Sequence, residues 1–250
     1  MRIMLLSHRA KRKTSPDEAR IATLVKSLTS KNTTVELHYP EDLGGAGVQH
    51  ALRQHKNLSG LHHILETPAL VKKIIEAERS GFDAVVQSNT FDSGVEAGRL
   101  AVRIPVVGLL RSSCHFAACL CDRFAVIVPL ESHVNYTFRI IETYHMGHVI
   151  SAIRAINMYD NLSKQHDLIV KRTISLGREL VAEGAQAIIP LGGIIFPYEV
   201  APEELEPEIG VPIINTYAVG FRFAELMVHN KMTHSQKAYP WSPGLNPEDI

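Results

Sequence analysis

Short runs of apolar, β-branched residues alternate along the chain with longer stretches in which apolar positions recur at helical spacing. That alternation predicts βα units around parallel sheet, not a sandwich or a helix bundle. The runs that read as strands are Arg2 to Leu6, Thr34 to His38, Ala84 to Gln87, Val106 to Leu110, Phe124 to Val128, Ala187 to Pro190 and Ile213 to Asn215. Between them lie predicted helices. Pro16-Asp17-Glu18 opens one with acidic side chains that complement the helix dipole, and it runs towards Leu28. Pro68 to Arg79 and Arg172 to Glu183 are two more, each followed by a glycine, Gly81 or Gly184, that hands over to a strand.

The pattern repeats. Gly81-Phe82-Asp83-Ala84-Val85-Val86, followed by Ile104-Pro105-Val106-Val107-Gly108, is echoed by Gly184-Ala185-Gln186-Ala187-Ile188-Ile189 and then Val211-Pro212-Ile213-Ile214-Asn215. An offset of roughly 105 residues separates the copies, which predicts two similar α/β halves with a boundary near Cys121. Residues 1–120 with roughly 216–250 form the first and 121–215 the second. Chance likeness between any two βα units is the alternative. Two segments stand outside the repeat. Pro40 to Thr67 is rich in Gly and His (His50, His55, His62, His63) and has the length of a lid or binding loop. The last twenty residues, with Pro240, Trp241, Pro243, Gly244 and Pro247, read either as a packed arm or as disorder.

Composition narrows the function. The chain has 250 residues, 45% of them apolar, which is ample for a core, and 26 Lys+Arg balance 26 Asp+Glu. Zero formal charge supplies no long-range pull toward nucleic acid or anionic membrane, and no basic patch compensates. Three cysteines make no disulfide framework and no zinc spacing, so a reducing cytoplasm is the expected compartment. The apolar run after Met1 is too short for a signal or spanning segment.

Ligands of open parallel sheets bind beyond the carboxyl ends of the strands. Here those ends carry Ser7-His8, Gln87-Ser88-Asn89-Thr90, Arg111-Ser112-Ser113, Glu131-Ser132-His133, Leu191-Gly192-Gly193 and Asn215-Thr216. The set is small, polar and rich in hydroxyls, and several members sit where a helix begins, with N–H groups suited to an anion. It predicts a small carboxylate or cyclic amide as ligand. Neither GxGxxG nor a Walker loop is present, which argues against a nucleotide.

The stretch Asp83 to Arg99, with Gln87-Ser88-Asn89-Thr90-Phe91-Asp92-Ser93-Gly94 at its centre, resembles the first active-site motif of hydantoin and allantoin racemases in the Asp/Glu racemase superfamily. The likeness continues through Pro105-Val106-Val107-Gly108, His115 to Phe124, Gly147 to Ala155, Glu183 to Gly193 and Gly210-Val211-Pro212. It implies two pseudo-symmetric flavodoxin-like domains with the active site between them, no organic cofactor or metal, and assembly into homo-oligomers. It also implies two cysteines on opposite faces of the substrate's acidic carbon, one removing a proton while the other delivers one. The first of these falls on Asn89 or, in the Cys-Asn-Thr form of the motif, on Ser88; the second falls on Gly193. Neither position is a cysteine.

Cys114, Cys119 and Cys121 lie on or just past a predicted helix, where packing as small apolar side chains is the plain reading. Cys114, near the helix start, can alternatively be activated there. Ser88, Asn89, Thr90, His133 and Gly193 are therefore the candidate catalytic positions, with Ser7, His8, Arg111, Ser112, Gly192, Asn215 and Thr216 the candidate substrate contacts. Without the thiol pair, one-sided chemistry such as hydrolysis, decarboxylation or elimination is expected; racemisation by other bases and silent ligand binding are the alternatives. His8, His115 and His133 each have a structural reading beside the catalytic one. Arg111 reads as a bidentate carboxylate clamp or a surface ion pair, and Tyr198 and Glu199 are further possible acids. The histidines of 50–63 fit no zinc pattern.

Overall fold

The computed structural model describes residues 1–8, 17–41, 60–158, 162–193 and 195–250. The chain divides into two compact units, one formed by Met1–Ala51, Leu61–Leu109 and Gly220–Ile250, the other by Leu52–Gly60 and Leu110–Val219. The first is built on β1 (Arg2–Leu6), β2 (Thr34–His38), β3 (Ala84–Gln87) and β4 (Val106–Gly108), all parallel, in the order β2-β1-β3-β4. The second uses β5 (Phe124–Val128), β6 (Ile150–Ala155) and β7 (Ile188–Pro190), parallel in the order β6-β5-β7, with Ile213 bridging to Ile188 beyond β7. Both units thus follow the order second, first, third, fourth, which is the doubly wound arrangement. The repeat in the sequence is a repeat in topology.

Among the described residues the first unit's helices are α1 (Asp17–Leu28), α2 (Leu61–Arg79) and α3 (Val95–Ala101). Leu109–Leu120 is α4, which opens on the last residue of the first unit and continues in the second. The second unit adds α5 (Ser132–Thr143), α6 (His166–Ala182) and α7 (Pro202–Ile209); α8 (Thr216–His229) passes from residues of the second unit to residues of the first. Burial explains the near-continuous apolar strands. All of β3, β4, β5 and β7 is buried, because helices cover both faces of a parallel sheet. Leu6, Val85 and Val106 pack on Leu70 and Ile74 of α2 in one core, and Ala125, Ile127 and Ile188 on Ile169 and Leu180 of α6 in the other.

Matching helix ends reinforce the repeat. Gly81 (φ 73°) and Gly184 (φ 102°) sit in the left-handed region that a glycine occupies without steric cost. In one unit the Gly81 N–H donates to the Glu78 carbonyl and Phe82 N–H to Ala77; in the other Gly184 donates to Val181 and Ala185 to Leu180. Each pair is a Schellman stop, which turns the chain directly into the next strand.

Several sequence expectations change. The helix predicted from Pro68 begins at Leu61 and carries Pro68 inside it, so His62 and His63 are buried helical residues and not part of a loop. His50 and His55 lie outside the described residues. The strand predicted to reach Leu110 ends at Gly108, because Leu109 and Leu110 already wind into α4. The strand expected over Ile213 to Asn215 is a single bridge, and the third helix starts at His166 instead of Arg172. Edge strand β6 was not anticipated. Residues 230–250 pack on the first unit: His234 Nε2 accepts from the Val106 N–H of edge strand β4 at 2.8 Å, and the Arg99 guanidinium donates to the Tyr239 hydroxyl at 3.2 Å. Trp241 lies under Arg103, 5.8 Å from guanidinium carbon to ring centre, and remains 41% exposed.

Candidate active site

In the first unit the carboxyl ends of β1 and β3 are adjacent, since Leu6 pairs with Gln87. The residues that follow each strand therefore meet. His8 Nδ1 lies 3.5 Å from Ser88 Oγ, the outer reach of a hydrogen bond. Ser88 is held by its N–H donating to Leu6, and Ser7 by its N–H donating to His38. Ser7, Ser88, Asn89 and Thr90 are all buried, whereas His8 is half-buried.

The turn after β3 is tied down by its own polar groups. The Asn89 N–H donates to the Gln87 side-chain oxygen, and Asn89 Oδ1 accepts from the Phe91 N–H at 2.7 Å. Asp92 N–H donates to the Asn89 carbonyl, and Asp92 takes a left-handed φ of 54°. The N–H groups of Ser88, Asn89, Phe91 and Asp92 are thus spent on the fold. The Asp92 carboxyl lies against the α-carbon of Gly108, where a Cβ would come within 2.6 Å of Oδ1. A carboxylate at the start of α4 complements the dipole of that helix.

Sequence reasoning missed the groups behind this turn. Asn89 Nδ2 lies 3.0 Å from Nδ1 of His63, and His63 and Glu66 are 4% and 0% exposed on α2. Burial pulls the His63 pKa down to about 4, so its ring is neutral near pH 7. Stepping back from Leu70 by helical period reaches Glu66, His63 and His62, so polar residues in an apolar stripe were the available signal.

The second unit collects its own strand-end residues. His133, 2% exposed in the first turn of α5, donates its backbone N–H to Leu130. Gly192, at φ 100°, follows β7 and packs where a Cβ would meet Pro129 Cγ at 2.6 Å; Gly193 is half-buried beside it. Asn215 caps α8, its Oδ1 accepting from Ala218 N–H at 3.0 Å, and the neighbouring Thr216 is buried. Arg111 and Ser112 lie inside α4, not directly after a strand, because β4 ends at Gly108. The Arg111 guanidinium sits 5.3 Å from the Tyr144 ring centre. Of the cysteines, only Cys114 is fully buried; Cys119 is exposed and Cys121 half-buried, where burial raises its thiol pKa. The expectation of apolar packing therefore holds for Cys114 and fails for Cys119. Among the described residues no group of three or more His, Cys, Asp or Glu is placed to hold a metal, and no helix is long and apolar enough to cross a membrane.

Two doubly wound units with hydroxyl and imidazole groups at their strand ends define a class of α/β proteins suited to small polar ligands. Comparison with known proteins narrows the class. The profile of a family described as Asp/Glu/Hydantoin racemase matches residues 46–224, and the chain belongs to that family. A hydantoin racemase of Pseudomonas sp. (strain NS671) is 31% identical over 180 residues, 71% of each chain. The structure of an allantoin racemase from Klebsiella pneumoniae is similar at a TM-score of 0.80 and 17% identity, covering 98% of this chain and 94% of that one. Unliganded arylmalonate decarboxylase is similar at a TM-score of 0.59 and 14% identity, covering 91% and 92%.

Proposed function

We propose that this protein is an isomerase of the racemase type, exchanging the proton on the acidic carbon of a hydantoin-like cyclic amide. The carrying observation is the Ser88–His8 pair, two proton-exchanging groups at adjacent strand ends. Asn89 is the other position to which the family resemblance assigns a thiol. Its amide is occupied by Phe91 and His63, so Ser88 is the residue that takes the thiol's place. The Ser88 oxygen takes the α-proton while its own proton passes to His8 Nδ1, and the electron pair moves into the adjacent carbonyl. A histidine beside a hydroxyl activates it in this manner. A proton delivered to the opposite face of the planar intermediate, by water or an acid on that side, then completes the inversion. Hydrogen bonds between catalytic groups are often long without substrate and tighten in the complex, and 3.5 Å suits such a pair. The likeness to a hydantoin racemase at 31% identity supports the substrate class.

A second reading has support from the likeness to a decarboxylase. Loss of carbon dioxide from a malonate leaves the same kind of carbanion, and the pair would then deliver a proton instead of removing one. Proton NMR in deuterium oxide separates the two. Loss of the α-proton signal from a single enantiomer of a 5-substituted hydantoin or allantoin, with matching loss of its optical rotation and no loss of carbon, supports isomerisation. Carbon dioxide release from an arylmalonate with no α-exchange supports decarboxylation.

A further inference from the structure

The proton transfer described above makes no use of His63, although it is the buried imidazole directly behind the Ser88 to Thr90 turn. Its ring is 3.8 Å from that of His62 and 5.4 Å from that of Phe91, centre to centre. Its Nδ1 is 3.0 Å from Asn89 Nδ2, and the sense of that bond is fixed from the far end. A backbone N–H can only donate, and Phe91 donates to Asn89 Oδ1 at 2.7 Å. The amide oxygen therefore faces Phe91 and the amide nitrogen faces His63. An amide NH₂ also only donates, so Nδ1 must accept and the imidazole proton resides on Nε2. Glu66 Oε2 stands 3.6 Å from the same Nδ1, farther than Asn89 Nδ2.

We propose that His63 is a positioning residue: as a neutral, Nε2-protonated imidazole it accepts from Asn89 and holds the turn that presents Ser88. The catalytic consequence rests on the isomerase reading; the tautomer and the Asn89 bond do not. The lowered pKa of the buried ring is consistent with the neutral form. Gln87 supports the turn from its other side, through the Asn89 N–H.

The test begins on the unaltered, ¹⁵N-labelled protein at neutral pH, with long-range proton–nitrogen correlation of the histidine rings. His63 should show an unprotonated Nδ1 and a protonated Nε2; the reverse pattern, or a doubly protonated ring, overturns the proposal. Two variants extend it. His63→Phe keeps a ring and loses the acceptor, whereas His63→Asn returns an amide oxygen near the place of Nδ1. With 5-substituted hydantoins as substrate, His63→Phe should lower the kcat of α-proton exchange on the order of 10- to 100-fold, the range for displaced reacting groups, with KM changed less than about threefold. The Asn89 side-chain amide signals should shift at the same time, and His63→Asn should recover most of both. A folded His63→Phe protein with unchanged kcat and unchanged Asn89 signals contradicts the proposal. If the unaltered protein exchanges no substrate proton, the isomerase reading fails, and the tautomer with the Asn89 signals still decides the role of His63.

Discussion

Glu225 on α8 is where the first unit's helix-to-sheet tie can be measured. Its carboxylate accepts from the Ser30 N–H at 2.8 Å, the Ser30 hydroxyl at 3.0 Å and the Thr33 hydroxyl at 2.5 Å, all in the turn between α1 and β2. Arg222 donates to it at 2.8 Å from a side chain that is 53% exposed, so this pair adds little. Hydrogen bonds to a charged group are worth about 1.5–3 kcal/mol each when one partner is removed, and water recovers part of that at a turn. Glu225→Ala is therefore expected to cost about 2–4 kcal/mol in a urea titration followed by circular dichroism. At about 2–4 °C per kcal/mol for a chain of this size, Tm falls by about 4–16 °C. Acid adds a second signature. Burial works to raise the Glu225 pKa, but the bonds from Thr33, Ser30 and Arg222 together outweigh it and hold the group below the usual carboxylate range. A depressed folded pKa contributes stability that is present above the unfolded pKa and lost as pH falls through the folded one. The stability gap between the unaltered protein and Glu225→Gln should thus be widest near neutral pH and close in acid below the carboxylate range. A Glu225→Ala cost under about 0.5 kcal/mol, or a gap that widens in acid, refutes the reasoning.

Other expectations follow from close packing. Gly108→Ala places a methyl within 2.6 Å of Asp92 Oδ1, and the displaced carboxylate should cost about 1–3 kcal/mol in denaturation while slowing exchange through the Ser88 turn. Ile74→Ala empties a fully buried position of the first core and should cost about 2–5 kcal/mol with kcat of the remaining folded enzyme unchanged. Gly192→Ala combines a φ of 100° with overlap on Pro129, so its loss of Tm should exceed that of Gly210→Ala, where φ is 86° but no atom stands within 4 Å.

Strands β1, β2, β3 and β5 were legible to the residue, β1, β3 and β5 as nearly continuous buried runs and β2 by the alternation of Val35 and Leu37 with polar neighbours in a half-buried edge strand. Strand β6 was not, because an edge strand with half-buried Ser151 and exposed Arg154 carries no continuous apolar run. Pro68 concealed the first two turns of α2, as proline usually marks a helix start. The same misreading hid His63 and Glu66; His63 meets Asn89 at a strand end 26 residues away, a proximity that local pattern does not encode. Ser88 and His8 were legible as strand-end residues, yet their pairing required the parallel register of β1 with β3.

Ser88 replacing a thiol is the central claim, and the most direct measurement is the rate of α-proton loss from a 5-substituted hydantoin in deuterium oxide for the unaltered protein, Ser88→Ala and Ser88→Cys. The account predicts exchange by the unaltered protein, a fall of about 10²- to 10⁴-fold in Ser88→Ala, and exchange in Ser88→Cys at least as fast as with serine. No exchange by the unaltered protein or Ser88→Cys, or equal rates in Ser88→Ala and the unaltered protein, contradicts it.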